Sequence, residues 1–568
     1  MKNKFIKIFC LITAAFFLVS TNAGAVQTTY IIKKETSSSV EQNIETTQAE
    51  MMTNSENDVD LDPLVDLSIT VEINKIRAFD KIDFLSNPDF YVKIIVNEQE
   101  FKSKVWKNTK YIEDANWSIT ADVPDDKEFV NITIQLWDED PFFDKKCDIS
   151  GNTQHTPLSK DVNLYYSLKT GHWMGDDQIE NETPKYDVSG YGRLNGCDDN
   201  SFDKNERDCG LWFDIYQNDA DGDGIPYWAE KNIHNTSPTE DNTGQDHDND
   251  GVPIEWEHKW GHRFHPWTRQ HIWIYNSSKW EDHENMDPDN DGLQNTEEYL
   301  MSEFGTDPFR RDIFLEIDEM ETGPNGEGKL VPSLYRNLLI NGYNKNNVVI
   351  HVDDHNEDKM KEGQLIPFQS NVSQNSDGIY DLYHKYFLNN GSDLWKEDIY
   401  HYGLLLYTYE GCGEAAGCLV PMTHDEQTFH LNSFQISKGT LDIRPISNPF
   451  GFIFHGSFTL QGAFNKEYRR AFIFASVIMH EMGHTLGLFG SNILGVDIGP
   501  LNMDGNRGDR ITLIDHLLWW TLYGSYKSCM SYGYVYSMID YSHGWNGLND
   551  HDDWSNLDLK QFEQEYSI

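Results

Sequence analysis

Near its C-terminus the chain reads Met479-His480-Glu481-Met482-Gly483-His484-Thr485-Leu486-Gly487. Residues four apart stack on one face of a helix, so His480 and His484 present two imidazoles to a single point. Glu481 stands beside them. Two imidazoles suit a metal ion, and a neighbouring carboxylate can take a proton from water held there. The run from Asn465 to Leu486 is apolar enough for one long helix, with Asn465 as its N-cap and Glu467 in its first turn. Further upstream, Ile313-Phe-Leu-Glu-Ile-Asp, Val348-Val-Ile-His-Val-Asp and Gly403-Leu-Leu-Leu-Tyr read as buried strands. The stretch 332–340 reads as an amphipathic helix that tolerates Pro332 in its first turn. Strands alternating with helices predict an α/β domain over residues 309–568.

Gly487 follows His484 by three positions, and Ser528-Cys-Met530-Ser-Tyr532 comes further on. Together with the histidine pair, these residues resemble the metzincin-type zinc metallopeptidases. The resemblance implies a zincin fold, one catalytic zinc and hydrolysis of peptide bonds in a protein or peptide substrate. It makes Glu481 the general base, Met530 the Met-turn residue, and Tyr532 a metal- or oxyanion-binding tyrosine. One position departs from the family. Its third ligand falls six residues after the second histidine, where this chain has Gly490. The other common solution is a glutamate on a following helix, and residues 485–528 contain none. That window offers Asp497, Asp504, Asp509, Asp515 and His516. Asp497 is the nearest and is taken first, ahead of His516 and Asp504, with His543 beyond the Met-turn after them. Carboxylate and imidazole are both accepted zinc ligands. His351 and His355 read as surface or strand-end residues, and no Gly-x-Ser-x-Gly elbow is present.

Residues 218–308 hold an internal repeat. Asp219, Asp221, Asp223 and Gly224 precede Glu230; Asp246, Asp248, Asp250 and Gly251 precede Glu257; Asp287, Asp289, Asp291 and Gly292 precede Glu298. Acids at positions 1, 3 and 5, Gly at 6 and Glu at 12 give the spacing of a calcium loop. Pro226 and Pro253 occupy position 8, where paired EF-hands need a backbone N–H that Pro lacks. The wording Asp-Gly-Ile-Pro and Asp-Gly-Val-Pro resembles thrombospondin type 3 repeats, although the third copy has Leu293-Gln294 there. The segment is expected to be a loop-rich connector braced by several structural calcium ions.

Residues 63–217 alternate in the short runs of an antiparallel β-sandwich: Val65 to Val71, Phe90 to Val96, Val130 to Trp137, and Leu211 to Tyr216 as the last strand. Acids gather in the loops, with Asp83 and Asp89 six apart and Trp137-Asp138-Glu-Asp140 after a strand. Here the chain resembles a C2 domain, the calcium and phospholipid module. The family motif is altered, since Ser86-Asn-Pro-Asp89-Phe-Tyr exchanges Pro and Asp, and Asp148-Ile-Ser-Gly comes two residues late. Asp83, Asp89, Asp138, Asp140 and Asp148 are the expected ligands, with Asp144 a rival for the last. The resemblance implies calcium-dependent contact with a membrane surface.

The chain begins as an export signal. Lys2, Lys4 and Lys7 precede an apolar stretch from Ile8 to Val19, and Ala23-Gly24-Ala25 is a small-residue cleavage site. This predicts a signal peptide over 1–25, a disordered linker over 26–62, and a secreted mature protein. Net charge is −48, and because phosphate binding needs a basic face no nucleic-acid partner is expected. Removing the signal takes away Cys10 and leaves six cysteines, for which Cys197–Cys209 and Cys412–Cys418 are the first pairs to expect. Cys147 and Cys529 lie in different domains. Asn116, Asn131 and Asn276 stand in glycosylation sequons. Two rival readings remain: a calcium-dependent surface or lipid-binding protein with an inactive zincin domain, and a purely structural zinc. The second normally takes four protein ligands and favours Cys, which does not occur close to the two histidines.

Overall fold

Alternation of apolar and polar residues buries nearly every second side chain along β1 (Ser68–Ala78) and again along a later strand, Phe129–Asp138. The computed structural model describes residues 60–83, 86–151, 160–176, 192–199, 206–264, 271–356, 360–374, 378–411, 415–422, 428–443, 465–499, 513–561 and 566–567. The expected signal peptide and most of the expected linker lie outside these residues. By its contacts the chain divides into Met1–Asp58 and Val59–Ile568; everything below concerns the second unit. The linker reading runs slightly too far. Leu61 is buried in the sandwich core, and its N–H donates to Asp125 O at 2.9 Å.

The strands that follow β1 are β2 (Phe90–Val96), β3 (Gln99–Lys102), β4 (Trp117–Asp122), β5 (Phe129–Asp138), β6 (Val162–Ser167), β7 (His172–Gly175), β8 (Arg193–Asn195) and β9 (Cys209–Gln217). One layer has the order β8-β9-β1-β4 and the other β3-β2-β5-β6-β7, with antiparallel pairing throughout. Ile69, Val71 and Ile73 from one layer share a core with Val92, Ile94, Ile132 and Ile134 from the other.

The connector is more ordered than a string of loops. Its second and third acidic loops run directly into α1 (Ile254–Trp260) and α2 (Asn295–Leu300), and Trp256, Trp260, Tyr275 and Phe309 join the sandwich core. Four histidines pack around Trp273, with ring centroids 5.6 Å (His172), 5.5 Å (His234), 5.5 Å (His258) and 5.2 Å (His262) from it. His172 belongs to β7, so this cluster ties the sandwich to the connector. Burial pushes His172 and His234 down to about 4 and His258 and His262 well below the usual histidine range. Such a histidine is neutral when folded and takes up a proton on unfolding, so stability rises with pH between about 4 and 6.5. Lowering the pH from 7 to 5 at saturating calcium should therefore reduce the melting temperature. The free-energy slope is about 1.4 kcal/mol per pH unit below 6.5 for each such histidine. His234→Gln, which keeps a polar group towards Ser277 and His258, should flatten that slope by one histidine's share in thermal melts. An unchanged slope would place the sensitivity elsewhere.

The C-terminal part is built on a mixed sheet. Its strands are β10 (Asp312–Met320), β11 (Val349–Asp354), β12 (Tyr400–Leu406), β13 (Gly417–Leu419) and β14 (Ser433–Ser437), in the order β11-β10-β12-β14-β13. All pairs are parallel except β13 with β14. β10 is buried along its whole length, as expected for a central parallel strand. Its four acids are each matched: Arg310 Nη2 lies 3.0 Å from Asp312, Lys396 Nζ lies 2.9 Å from Glu316, Tyr402 donates to Asp318 at 2.6 Å, and Lys438 Nζ lies 3.0 Å from Glu319. Two helices, α3 (Leu334–Asn344) and α4 (Lys466–Thr485), share the core of one face, through Leu339, Tyr343, Phe474, Ile478 and Met482.

The helix read over 332–340 runs on to Asn344 because the sandwich satisfies its polar end. Buried Arg77 donates to Asn341 Oδ1 at 3.0 Å, Asn341 donates to Ala78 O at 2.9 Å, and Arg193 donates to Asn344 O at 2.6 Å. On α4, the Asn465 side chain accepts from the N–H groups of Glu467 and Tyr468 at 3.0 and 3.1 Å. Among the described residues no helix is long and apolar enough to cross a membrane. The Cys197–Cys209 pairing is not formed. Both are free and buried, and Cys209 lies instead against Cys147. Cys418 is disulfide-bonded, and Cys412 lies outside the described residues.

Candidate metal centre

Helix α4 fixes the spacing of His480 and His484, and two carbonyls fix their tautomers. His480 Nδ1–H donates to Cys529 O and His484 Nδ1–H to Leu488 O, both at 2.8 Å. Each ring therefore turns an unprotonated Nε2 inward, the arrangement in which a second partner orients a metal-binding imidazole. Asp497 completes the group. Its Oδ1 lies 3.3 Å from His480 Nε2 and 3.5 Å from His484 Nε2. Donors about 2.0–2.2 Å from a shared tetrahedral ion lie about 3.3 Å apart, so the three fit a zinc-sized cation. The chain reaches this point through a turn at Gly487 (φ +85°) and a left-handed Asp497 (φ +59°), whose N–H is held by Met530 O at 3.0 Å. Burial works against the Asp497 carboxylate, but the facing His480 and His484 rings outweigh it and hold the group far below the usual range.

Met530 is buried directly beneath the pair. A Cβ at Gly483, between the two histidines, would collide with Met530 Sδ, so the fourth residue of the motif is glycine for steric reasons. Glu481 is buried, and burial raises its carboxyl above the normal value. β13 runs across it so closely that a Cβ at Gly417 would strike Glu481 Oε1. Tyr532 is 46% exposed, with its ring centroid 5.6 Å from that of His480 and its hydroxyl facing Asp497. Of the rival third ligands, His543 packs against Trp545 and Trp554. Asp504 and Asp509 lie outside the described residues, as do the side chains of Asp515 and His516 on α5 (Leu513–Tyr523). Sequence reading missed Gly417 and the carbonyls of Leu488 and Cys529. Backbone acceptors leave no residue-type signal.

The acidic loops also close on themselves. Asp219, Asp221 and Asp223 form one group and Asp246, Asp248 and Asp250 another. Glu230 and Glu257 are pushed up to about 7 and about 9, by burial first and then by the aspartates of their own loops. In the third loop Asp289, Asp291 and Glu298 are raised well above normal by burial and by one another, while Asp287 is ion-paired with Lys560. Crowded buried carboxylates of this kind are what a bound divalent cation relieves.

In the sandwich, three of the five expected ligands meet: Asp83, Asp138 and Asp140. Lys145 stands among them, 2.9 Å from Asp83, 3.8 Å from Asp138 and ion-paired with Asp140. Asp138 is pushed up to about 6, chiefly by burial. The other two expected ligands are differently engaged. Asp89 accepts from Asn108 N–H at 2.5 Å, and Asp148 pairs with Lys160 at 3.0 Å. Asp144 accepts from Tyr91 at 2.8 Å. On the tip between Asp140 and Lys145, Phe142 and Phe143 are 89% and 86% exposed.

A family model described as the C2 domain matches residues 67–174. The chain carries a C2 domain. A solved structure described as a C2 domain is 12% identical, covers 27% of this chain and 97% of its own, and has a TM-score of 0.16. The first C2 domain of plant extended synaptotagmin 1 is 18% identical over 15% of this chain and 65% of that structure, with a TM-score of 0.14. The calcium-bound pair of C2 domains from extended synaptotagmin 2 is 21% identical over 19% of this chain and 36% of that structure, with a TM-score of 0.14. No curated protein matches the chain.

Proposed function

We propose that the chain is an exported metallopeptidase that uses one zinc ion, is braced by calcium, and carries its C2 domain as a module for lipid surfaces. The observation behind the peptidase reading is the convergence of His480 Nε2, His484 Nε2 and Asp497 Oδ1 beside Glu481. A zinc ion bound there supplies a Lewis acid that acidifies water and polarises a carbonyl. Glu481 takes the proton from the attacking water and returns it to the leaving amine, which breaks the peptide bond. Tyr532, on the open side, donates a hydrogen bond to the oxygen on which charge develops. β13 is the outer strand of its sheet among the described residues and crosses Glu481. An extended peptide pairing along β13 is thereby carried past the acid. Purified protein should hydrolyse a generic protein substrate, lose activity to a zinc chelator at constant calcium, and regain it with zinc. A chain that binds zinc and cleaves nothing would favour the reading as a surface-binding protein with an inactive zincin domain.

The exposed Phe142–Phe143 pair supports the lipid-surface role. Burying a phenylalanine ring is worth about 1.5–3 kcal/mol, and single-chain proteins rarely leave two such rings side by side in water without use. Phe142→Ala/Phe143→Ala should weaken binding to anionic vesicles by about 100-fold or more and leave protease activity on a soluble substrate unchanged. Vesicle co-sedimentation measures this, and equal binding by wild type and variant would remove the pair from the contact.

A further inference from the structure

We infer that the second acidic loop holds a transition-metal ion of the zinc class, with His283 as a nitrogen ligand beside Asp250 and Glu257. His283 is not part of the loop motif; the chain returns to place it there from a separate stretch. The three residues are 0%, 5% and 2% exposed respectively, and one donor atom of each lies within 4.8 Å of the others. His283 Nε2 is 3.4 Å from Asp250 Oδ2. That is too long for a hydrogen bond, yet it is the separation of two donors sharing one tetrahedral ion. It also matches the 3.3 Å between His480 and Asp497. Neither His283 Nε2 nor Glu257 Oε1 has a hydrogen-bond partner, an expensive state for buried polar atoms unless a ligand joins them.

The opposite side of the ring supplies the matching tautomer. Asn295 meets His283 Nδ1 at 2.8 Å and Tyr275 Oη at 3.1 Å, and the Asn295 amide oxygen has no partner in its present orientation. Turning the amide gives that oxygen two donors, the Tyr275 hydroxyl and His283 Nδ1–H. Nε2 is then left as a lone pair facing the two carboxylates. Trp256 and Tyr275 stand edge-on to the ring at 5.8 and 4.9 Å and wall it off. Two carboxylates and one imidazole neutralise a dication in that dry setting. A nitrogen ligand selects zinc, cobalt or nickel over calcium, which takes oxygen ligands. The first loop gathers Asp219, Asp221 and Asp223 without an imidazole and keeps the all-oxygen chemistry of calcium.

The experiment uses the full chain with His480→Ala and His484→Ala, in saturating calcium, so that the outcome does not depend on the proposed catalytic site. Titration with cobalt(II) should give one tight equivalent with visible d–d absorption, and adding His283→Gln should weaken it at least tenfold. In a second measurement the catalytic histidines are left intact. Elemental analysis should then find two zinc ions in the wild-type chain and one in His283→Gln. No cobalt uptake by the double variant, or a second equivalent that survives His283→Gln, would overturn the assignment.

Discussion

Glu481→Gln is expected to keep a full complement of zinc and to lower peptide-bond hydrolysis by about 10²–10⁴-fold, the usual cost of removing a general base. The substitution changes one oxygen to an amide and keeps the side chain's volume. The tight approach of Gly417 is therefore undisturbed, and so is the packing of α4. Zinc retention is expected because Glu481 is not among the three converging donors. Amide nitrogen cannot accept the proton, so the loss should fall on kcat, with KM little changed. Comparing single-turnover cleavage and zinc content of wild type and variant checks both halves. Activity within a few-fold of wild type would show that another group takes the proton, and loss of zinc would make Glu481 a ligand.

The histidine pair was legible because its geometry is local: a spacing of four on a helix sets the face before anything else folds. The same holds for Asn465, whose capping role needs only its own next three residues. Sandwich strands were legible for the analogous reason, since period-2 alternation is a property of each strand alone. Whatever depended on chain path was harder to read. Asp497 lies in a turn after Gly487 and Gly495, and it was preferred to Asp504 or His516 only for its nearness along the chain and for a glycine-containing loop able to return it to the helix. The C2 loop acids were visible as a set. The arrival of Lys145 among Asp83, Asp138 and Asp140, and the diversion of Asp148 to Lys160, are contacts across loops that no spacing encodes. The same limit explains the cysteines. Closeness in sequence suggested Cys197 with Cys209, whereas β9 carries Cys209 towards Cys147. It explains the C-terminal end of α3 as well, which is held by Arg77 and Arg193 of the sandwich.

Asp497→Ala is expected to weaken zinc binding by more than about 100-fold and to abolish activity. Loss of a residue that merely orients a ligand costs about 10–100-fold, and Asp497 meets both Nε2 atoms itself. Two histidines alone leave an incomplete site. Alanine carries a second effect here, because Asp497 is left-handed at φ +59°, a conformation that costs most residues about 1–2 kcal/mol and is tolerated by Asn. Asp497→Asn is therefore the cleaner variant. It keeps the turn and the N–H to Met530 O, and it exchanges a charged ligand oxygen for a weaker amide one. Zinc affinity should fall in Asn and further in Ala, with the melting temperature of the metal-free chain nearly unchanged in Asn. Asp504→Ala, His516→Ala and His543→Ala should each keep zinc, the last because its ring is spent on Trp545 and Trp554. Zinc content of the purified, folded variants decides the matter. Should Asp497→Asn and Asp497→Ala both stay fully loaded while His516→Ala is empty, the third ligand is the imidazole, and the turn at Asp497 serves only to orient the two histidines.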